Sequence, residues 1–322
     1  MPCGEGRSLR ILVLGAGAIG GYFGGRLAAA GADVTFLVRG RRAARLASGG
    51  LTIKSPTGDL TLPSPKTITA GAVADTSFDI VLLTCKAYDL GAAIESIAPH
   101  VGAASAVLPL LNGMAHLDAL DARFGPGRVL GGLCQIAATL TPEGEIRHLN
   151  DIHRVIYGER DGGGGPRLSA LAEVMGRAAF DSRPSDDIAQ EMWEKFVMLA
   201  TLAGMTCLMR AGVGAIMAAA DGAALMREFL DESAAIAAAA GHPPRPSFLE
   251  RTRPLLTQRG SDFTASMLRD IERGGPTEGD HILGDLLRRA RRLGVPTPLL
   301  RVANCHLEAY EARRAADIQA RK

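Results

Sequence analysis

Six residues near the start, Gly15-Ala16-Gly17-Ala18-Ile19-Gly20, have the spacing of a turn that takes phosphate. The first glycine permits a tight turn and the second lets the backbone approach a pyrophosphate. The third lets the following helix lie close to the preceding strand, and that helix offers free N–H groups and partial positive charge to the anion. The plainer reading is a glycine-rich turn with no ligand. NAD-specific versions of this turn carry Asp or Glu about 20 residues on, to hold the ribose 2′-hydroxyl. Here Val38 is followed by Arg39, with Arg41 and Arg42 behind it. An acid would repel a 2′-phosphate, whereas a guanidinium grips one with two hydrogen bonds, so the pattern points to NADP. The competing reading is of solvated loop charges.

Only five of the 36 basic residues are lysine, at positions 54, 66, 86, 195 and 322. Arginine keeps its proton near neutral pH, whereas a desolvated lysine can release one, so a lysine retained against this bias is worth attention. Lys86 follows an apolar run ending at Thr84, and Asn112-Gly113 follows the run Ala106–Leu111. Both are places where a strand would end at its carboxyl edge, the edge at which open α/β sheets bind ligands. Lys195 stands in Met192-Trp193-Glu194-Lys195, within a long helical pattern. Taken singly, these are also a surface lysine, a turn asparagine and a lysine on a helix face.

The elements that must position these residues alternate through the first half. Strands are expected at Arg10–Leu14, Ala32–Val38, Phe78–Thr84, Ala106–Leu111, Val129–Ala138 and His153–Tyr157, with a small hairpin of Leu51–Ile53 and Leu60–Leu62. Helices are expected at Ala18–Ala30, Arg41–Ser48, Leu90–Ala98, Leu117–Phe124 and Leu168–Ala178. That order predicts an α/β fold with a mostly parallel, doubly wound sheet. Beyond Pro184 the pattern is helical, in segments near 186–210, 214–240, 246–258, 264–273, 278–294 and 297–314, punctuated by prolines. The boundary is therefore placed at 185/186.

Composition narrows the class. A chain of 322 residues suggests two domains, and 47% hydrophobic with 22% charged residues is an ordinary globular balance. The net charge of +2 creates no field that draws nucleic acid or an anionic membrane. Five widely spaced cysteines (3, 85, 134, 207 and 305) with no C-x-x-C argue against a disulfide scaffold or structural zinc, and fit a reducing cytoplasm. Arg7 and Arg10 before Ile11–Leu14 loosely mimic a signal peptide, but glycines, Arg26 and Asp33 interrupt the run. No stretch reaches the roughly 18–20 uninterrupted apolar residues of a membrane span.

Together these segments resemble the ketopantoate reductase (2-dehydropantoate 2-reductase) family. The resemblance rests on GAGAIG at 15–20, CKAYD at 85–89, LLNGM at 110–114, WEK at 193–195, SMLRDI at 266–271, PTEGD at 276–280 and GDLLRRARRLGVPTP at 284–298. It implies an N-terminal Rossmann domain over residues 1–185 and a C-terminal all-helical domain over 186–322 like that of 6-phosphogluconate dehydrogenase, with the active site in the cleft between. It implies NADPH-dependent reduction of ketopantoate to pantoate in pantothenate biosynthesis. Residues 15–20 would hold the pyrophosphate and Arg39 the 2′-phosphate. Lys86 and Asn112 would line the nicotinamide and substrate region, and Ala138 would lie beside the cofactor. Lys195 would be the general acid, Ser266 would bind substrate, and Glu278 would orient reacting groups or contact the cofactor ribose. Hydride transfer to a ketone places negative charge on the carbonyl oxygen, which a nearby ammonium stabilises and protonates.

The chain departs from that pattern at three positions. Where well-known members carry asparagine four and eight residues after the catalytic lysine, it has Leu199 and Ala203, and three residues before Ser266 it has Phe263. Three amides become apolar, so a second reading is a paralogous reductase of a more apolar 2-oxo acid or ketone, unless Thr201 and Thr206 supply polar groups. A reading from another class is a non-catalytic NADP-binding protein. Asp186, Asp187 and Glu191 read as acids favoured at a helix start. The scattered histidines show no metal-ligand spacing. Arg288, Arg289, Arg291 and Arg292 read as a solvated helix face, and Met192, Met198, Met205 and Met209 as packing. Apolar helix surface would also suit a homodimer.

Overall fold

The computed structural model describes residues 9–71 and 77–320; Cys3, Arg7 and Lys322 lie outside them. The described residues as far as Leu111, together with Leu117–Ile188, form one compact unit, and Asn112–His116 with Ala189 onward form another.

In chain order the first unit contains β1 (Arg10–Leu14), α1 (Ala18–Ala29), β2 (Asp33–Leu37), α2 (Gly40–Gly49), β3 (Leu51–Lys54), β4 (Leu60–Leu62), β5 (Lys66–Ile68) and β6 (Ile80–Leu83). Then come α3 (Leu90–Ile97), β7 (Ala106–Pro109), α4 (Ala115–Phe124), β8 (Gly131–Leu140), β9 (Ile146–Gly158), α5 (Pro166–Gly176) and β10 (Asp181–Pro184). The first two residues of α4 belong with the other unit. Five strands pair in the order β5-β2-β1-β6-β7, and every pairing is parallel. β6 and β7 are buried along their whole length, as strands covered on both faces must be. From β1 the chain goes to β2 on one side, while β6 lies on the other. That reversal puts the ends of β1 and β6 at the sheet's switch point.

A second sheet corrects the expectation that Val129–Ala138 and His153–Tyr157 extend the parallel sheet. β8 and β9 form a long antiparallel ribbon with a bulge between Ile136 and Ala138, and β9 runs 13 residues rather than five. β9 also pairs with β3 and β10. The polar edge strands β5 and β10 carry no apolar alternation, which is why the sequence pattern passes over them; β10 ends in Pro184, a residue that edge strands tolerate.

The glycines of α1 explain how one helix serves both sheets. A methyl at Gly24 would lie 2.8 Å from the Phe36 ring and 3.0 Å from Val13, on the parallel sheet. A methyl at Gly25 would lie 3.0 Å from Leu51 and 3.1 Å from Ile53, and one at Gly21 would strike Ile146, on the second sheet. Gly20/Gly24 and Gly21/Gly25 are thus two glycine stripes at i, i+4 spacing, each letting a sheet approach the helix backbone.

The second unit contains α6 (Ile188–Met209) from its second residue onward, α7 (Val213–Ile216), α8 (Gly222–Ala239), α9 (Pro246–Leu256), α10 (Ser266–Glu272), a π-helical turn at Asp280–Gly284, α11 (Asp285–Leu293) and α12 (Pro298–Ala320). The single helix expected over 214–240 is broken, because the chain folds back so tightly that a methyl at Gly222 would strike the Ile216 carbonyl. Alanine-rich composition hides that turn. α6 is the one helix among the described residues long and apolar enough to cross a membrane, but 72% of that stretch is buried inside the protein. Gly204 lets the Phe229 ring of α8 lie directly on it.

Candidate active site

The glycine loop joins β1 to α1 in the first unit. Gly15 has φ +87°, a conformation that only glycine adopts without strain, and its N–H donates to the Leu37 carbonyl at 2.9 Å. A methyl at Gly20 would collide with the Gly15 carbonyl and the Thr84 hydroxyl. Thr84 is itself held by donating to the Leu14 carbonyl at 2.8 Å. Gly17 differs: its φ is −84°, and a methyl there would meet no protein atom within 4 Å. Neither backbone strain nor internal packing calls for glycine at Gly17, and the space beside its Cα is open to approach from outside. It caps a 12-residue helix with no side-chain cap and no acid in its first turn. Free N–H groups and an open approach fit a pyrophosphate. We expect Gly20→Ala to destabilise the protein by about 2–3 kcal/mol and to weaken dinucleotide binding with it, read by urea unfolding and fluorescence titration. Gly17→Ala should weaken binding with little loss of stability.

Arg39 caps α2 and is 81% exposed, with Nη2 3.2 Å from Asp89 Oδ1. Arg42, grouped with the loop charges by sequence, has a different task. It donates from Nε to the Ala16 carbonyl at 3.0 Å and from Nη1 to the Gly144 carbonyl at 2.9 Å, tying the glycine loop to the β8–β9 hairpin. Burial, then the nearby Arg45, lowers its pKa. Lys86 follows β6 and opens the short turn Ala87–Asp89. Ala138 lies half-buried just past the bulge of β8, opposite His148.

In the second unit, Lys195 Nζ donates to Asn112 Oδ1 at 3.1 Å, across 83 residues of chain. Lys195 and Leu199 are both half-buried one turn apart on α6, and Ala203, a further turn on, is buried. Around Lys195 the helix is firmly anchored. Glu194, 4% exposed, accepts from Arg245 Nε at 2.8 Å, Arg245 Nη2 at 2.6 Å and the Arg245 backbone N–H at 2.9 Å. Trp193 stacks on His242, 5.8 Å between ring centroids, with the Arg289 guanidinium 5.6 Å from its own ring. Thr201 and Thr206 are fully buried and donate to the carbonyls of Val197 at 2.8 Å and Leu202 at 2.6 Å. Both hydroxyls are closed off inside the protein, Thr201 Oγ1 lying 3.4 Å from Ser233 Oγ as well, and do not replace the amides absent at 199 and 203.

Glu278 is buried, and α12 holds the segment around it. Glu311 Oε1 accepts the Thr277 N–H at 2.7 Å, Tyr310 donates to the Gly275 carbonyl at 2.8 Å, and Gly279 packs so close to Leu307 that a methyl would lie 2.9 Å from it. Next along, His281 hydrogen-bonds the backbone of Asn112, and burial lowers its pKa against the opposing pull of Glu278, Asp285 and Asp280. The structure thus sets Asn112 against Lys195, and the adjacent Gly113 against His281, within the second unit, with Glu278 buried three residues before His281. Ser266 opens α10 and is half-buried. His281 was passed over in the sequence because a single histidine has no spacing to betray it. Among the described residues, no group of three His, Cys, Asp or Glu side chains is placed to hold a metal.

Comparison with known proteins assigns the family. The family model described as Ketopantoate reductase PanE/ApbA matches residues 11–162, and its C-terminal counterpart matches 187–311. The chain belongs to the ketopantoate reductase family. It is an oxidoreductase of that family, which acts on CH–OH groups. It is 38% identical over 306 residues to the uncharacterized oxidoreductase YkpB of Bacillus subtilis, covering 95% of this chain and 100% of that one. It is 30% identical to the 2-dehydropantoate 2-reductase of Mesorhizobium japonicum, covering 91% and 94%. The crystal structure of 2-dehydropantoate 2-reductase from Geobacter metallireducens superposes with a TM-score of 0.85 at 31% identity, covering 94% of this chain and 99% of that one.

Proposed function

We propose that this member of the family is an NADPH-dependent reductase of a 2-oxo acid, ketopantoate being the simplest candidate. The observation that carries this reading is the Lys195 ammonium held on the Asn112 carboxamide at 3.1 Å. Bound at the glycine loop, the nicotinamide nucleotide supplies the hydride. Lys195 stabilises charge on the substrate's carbonyl oxygen and delivers its proton there. Asn112 Oδ1 fixes the ammonium's direction. Ser266 offers its hydroxyl to the substrate carboxylate, and Glu278 orients the reacting groups. Residues 15–20, Lys86 and Ala138 serve the cofactor.

Arg39 selects the 2′-phosphate. Its present partner Asp89 does not prevent this, because an exposed ion pair is worth only about 0–1 kcal/mol and exchanges readily for a doubly charged phosphate. The setting we propose is a reducing cytoplasm: Cys207 and exposed Cys305 are thiols, and burial pushes the Cys207 thiol up to about 12, which keeps it inert.

A second reading keeps the chemistry and changes the substrate. Half-buried Leu199, buried Ala203 and the committed hydroxyls of Thr201 and Thr206 leave the helix beyond Lys195 apolar. That favours a 2-oxo acid or ketone with an apolar side chain.

The test is NADPH oxidation with ketopantoate and with branched and aromatic 2-oxo acids side by side. A kcat/KM of about 10⁴ M⁻¹s⁻¹ or more for ketopantoate supports the first reading, and a preference for the apolar acids supports the second. NADPH binding without turnover of any of them would sink both. Arg39→Ala should raise the Kd for NADPH about tenfold and leave that for NADH unchanged.

A further inference from the structure

Asn112 belongs to a five-residue segment, Asn112–His116, that packs with the helical unit although it continues directly from β7. Three features hold it there, and all converge on His281. The ring of His281 hydrogen-bonds the Asn112 backbone. Gly113 has φ +76°, a conformation that favours glycine, and a methyl on it would crowd both Cδ2 and the carbonyl oxygen of His281 at 3.1 Å, so the two backbones lie close together. One turn further on, fully buried His116 stacks on His281 with ring centroids 5.6 Å apart and planes 23° apart, and its Nδ1 lies 3.4 Å from His281 Nε2.

His281 is itself presented by an unusual element. Residues Asp280–Gly284 form a π-helical turn between the Glu278 segment and α11. Such wide turns are rare and concentrate at functional sites, because they re-aim a side chain that an α-turn would carry elsewhere. Here Glu278 and His281 lie three residues apart at the start of that turn.

We propose that His281 is a positioning residue for proton delivery: by packing against Gly113, hydrogen-bonding the Asn112 backbone at its ring edge and stacking on His116, it sets the direction in which the Asn112 carboxamide presents its oxygen to Lys195. This rests on the reading of Lys195 as the proton donor. Catalytic groups displaced by about 1 Å lose on the order of tenfold to a hundredfold in rate, so a group that only orients Asn112 has a measurable effect without touching substrate. Glu278, Asp280, Asp285 and His116 are the titratable groups that act on it or touch it.

Two variants separate the roles. His281→Phe keeps the stacked ring but has no N–H, whereas His281→Gln keeps an N–H donor without the ring. Each is assayed for turnover of ketopantoate by NADPH over a pH series. Each is also labelled with trinitrobenzenesulfonate, with Lys195 resolved by peptide mass spectrometry and Lys54 and Lys66 as internal standards. The scarcity of lysine makes site-resolved labelling clean, and that readout needs no substrate.

The expected result for His281→Phe is a drop in kcat of about tenfold, a displaced pH profile, a KM for NADPH within about twofold of the parent, and a changed Lys195 labelling rate. His281→Gln should restore most of each. Unchanged Lys195 labelling and kcat in a folded His281→Phe protein would overturn the proposal, as would equal loss in both variants. If His281→Phe does not fold, His281→Leu takes its place under the same criteria. Should Lys195→Ala prove fully active, the reading of Lys195 as donor fails, while the labelling rate still decides whether His281 positions it.

Discussion

Replacing Lys195 by alanine is expected to lower kcat for the 2-oxo acid by on the order of 10²–10⁴, the usual worth of a positioned general acid. The Kd for NADPH should stay within about twofold, because the glycine loop and Arg39 stand on the first unit. Lys195→Arg is the sharper variant. It keeps the charge and a donor for Asn112 Oδ1, but a guanidinium does not release a proton near neutral pH, so most of the activity should still be lost. Stopped-flow measurement of a single turnover reads the chemical step directly. Full activity in Lys195→Arg would show that the side chain supplies charge alone, and full activity in Lys195→Ala would remove it from the chemistry altogether.

Arg245→Ala is expected to cost about 3 kcal/mol of stability at neutral pH, because it strands a buried carboxylate. In the parent protein, burial pushes the Glu194 pKa up. The Arg245 side chain and backbone and Gln190 together outweigh burial, so the carboxyl ends below its ordinary value. A depressed folded pKa contributes stability that is present above the unfolded carboxylate pKa and lost as pH falls through the folded one. Without the Arg245 side chain the burial effect is opposed only by the backbone N–H of residue 245 and by Gln190, so the folded pKa should rise from its parent position. The deficit of Arg245→Ala is therefore largest near pH 7 and shrinks as pH drops below the ordinary glutamate range, where Glu194 is protonated in both states. Urea unfolding at a series of pH values checks this. A deficit that grows toward acid pH would mean that the pair is not what anchors α6. Because Lys195 directly follows Glu194, loosening the anchor should also lower kcat.

Much of the site is legible in the sequence because its signals are local. The φ of Gly15, the helix opening at Ala18 and the strand before them are properties of a dozen contiguous residues, and glycine spacing records them. The helical character after Pro184 is read in the same way, from residues three and four apart. The lysine at 195 and the asparagine at 112 stand out by type and by family motif. The pattern fails where several arrangements satisfy the same local rule. β8 and β9 are apolar enough for strands in either sheet, and the pairing of β9 with β3 and β10, with Ile146 packed on Gly21 of α1, tells which. Leu199 reads as a pocket residue by helical spacing, but whether Thr201 and Thr206 compensate depends on where their hydroxyls find acceptors.

The sequence alone therefore determined the glycine turn after β1 and the class of fold, since each follows from backbone preference and periodicity within one segment, whereas the proton-donor candidate at Lys195 came from the family resemblance. Tertiary structure decided that Asn112 meets Lys195 across 83 residues, that Arg42 braces the glycine loop rather than standing in solvent, and that His281 lies against Gly113. Those contacts join segments with no fixed separation in sequence. They exist because buried donors must find acceptors and close-packed backbones must find glycine. Those requirements are met in space, and no spacing along the chain records them.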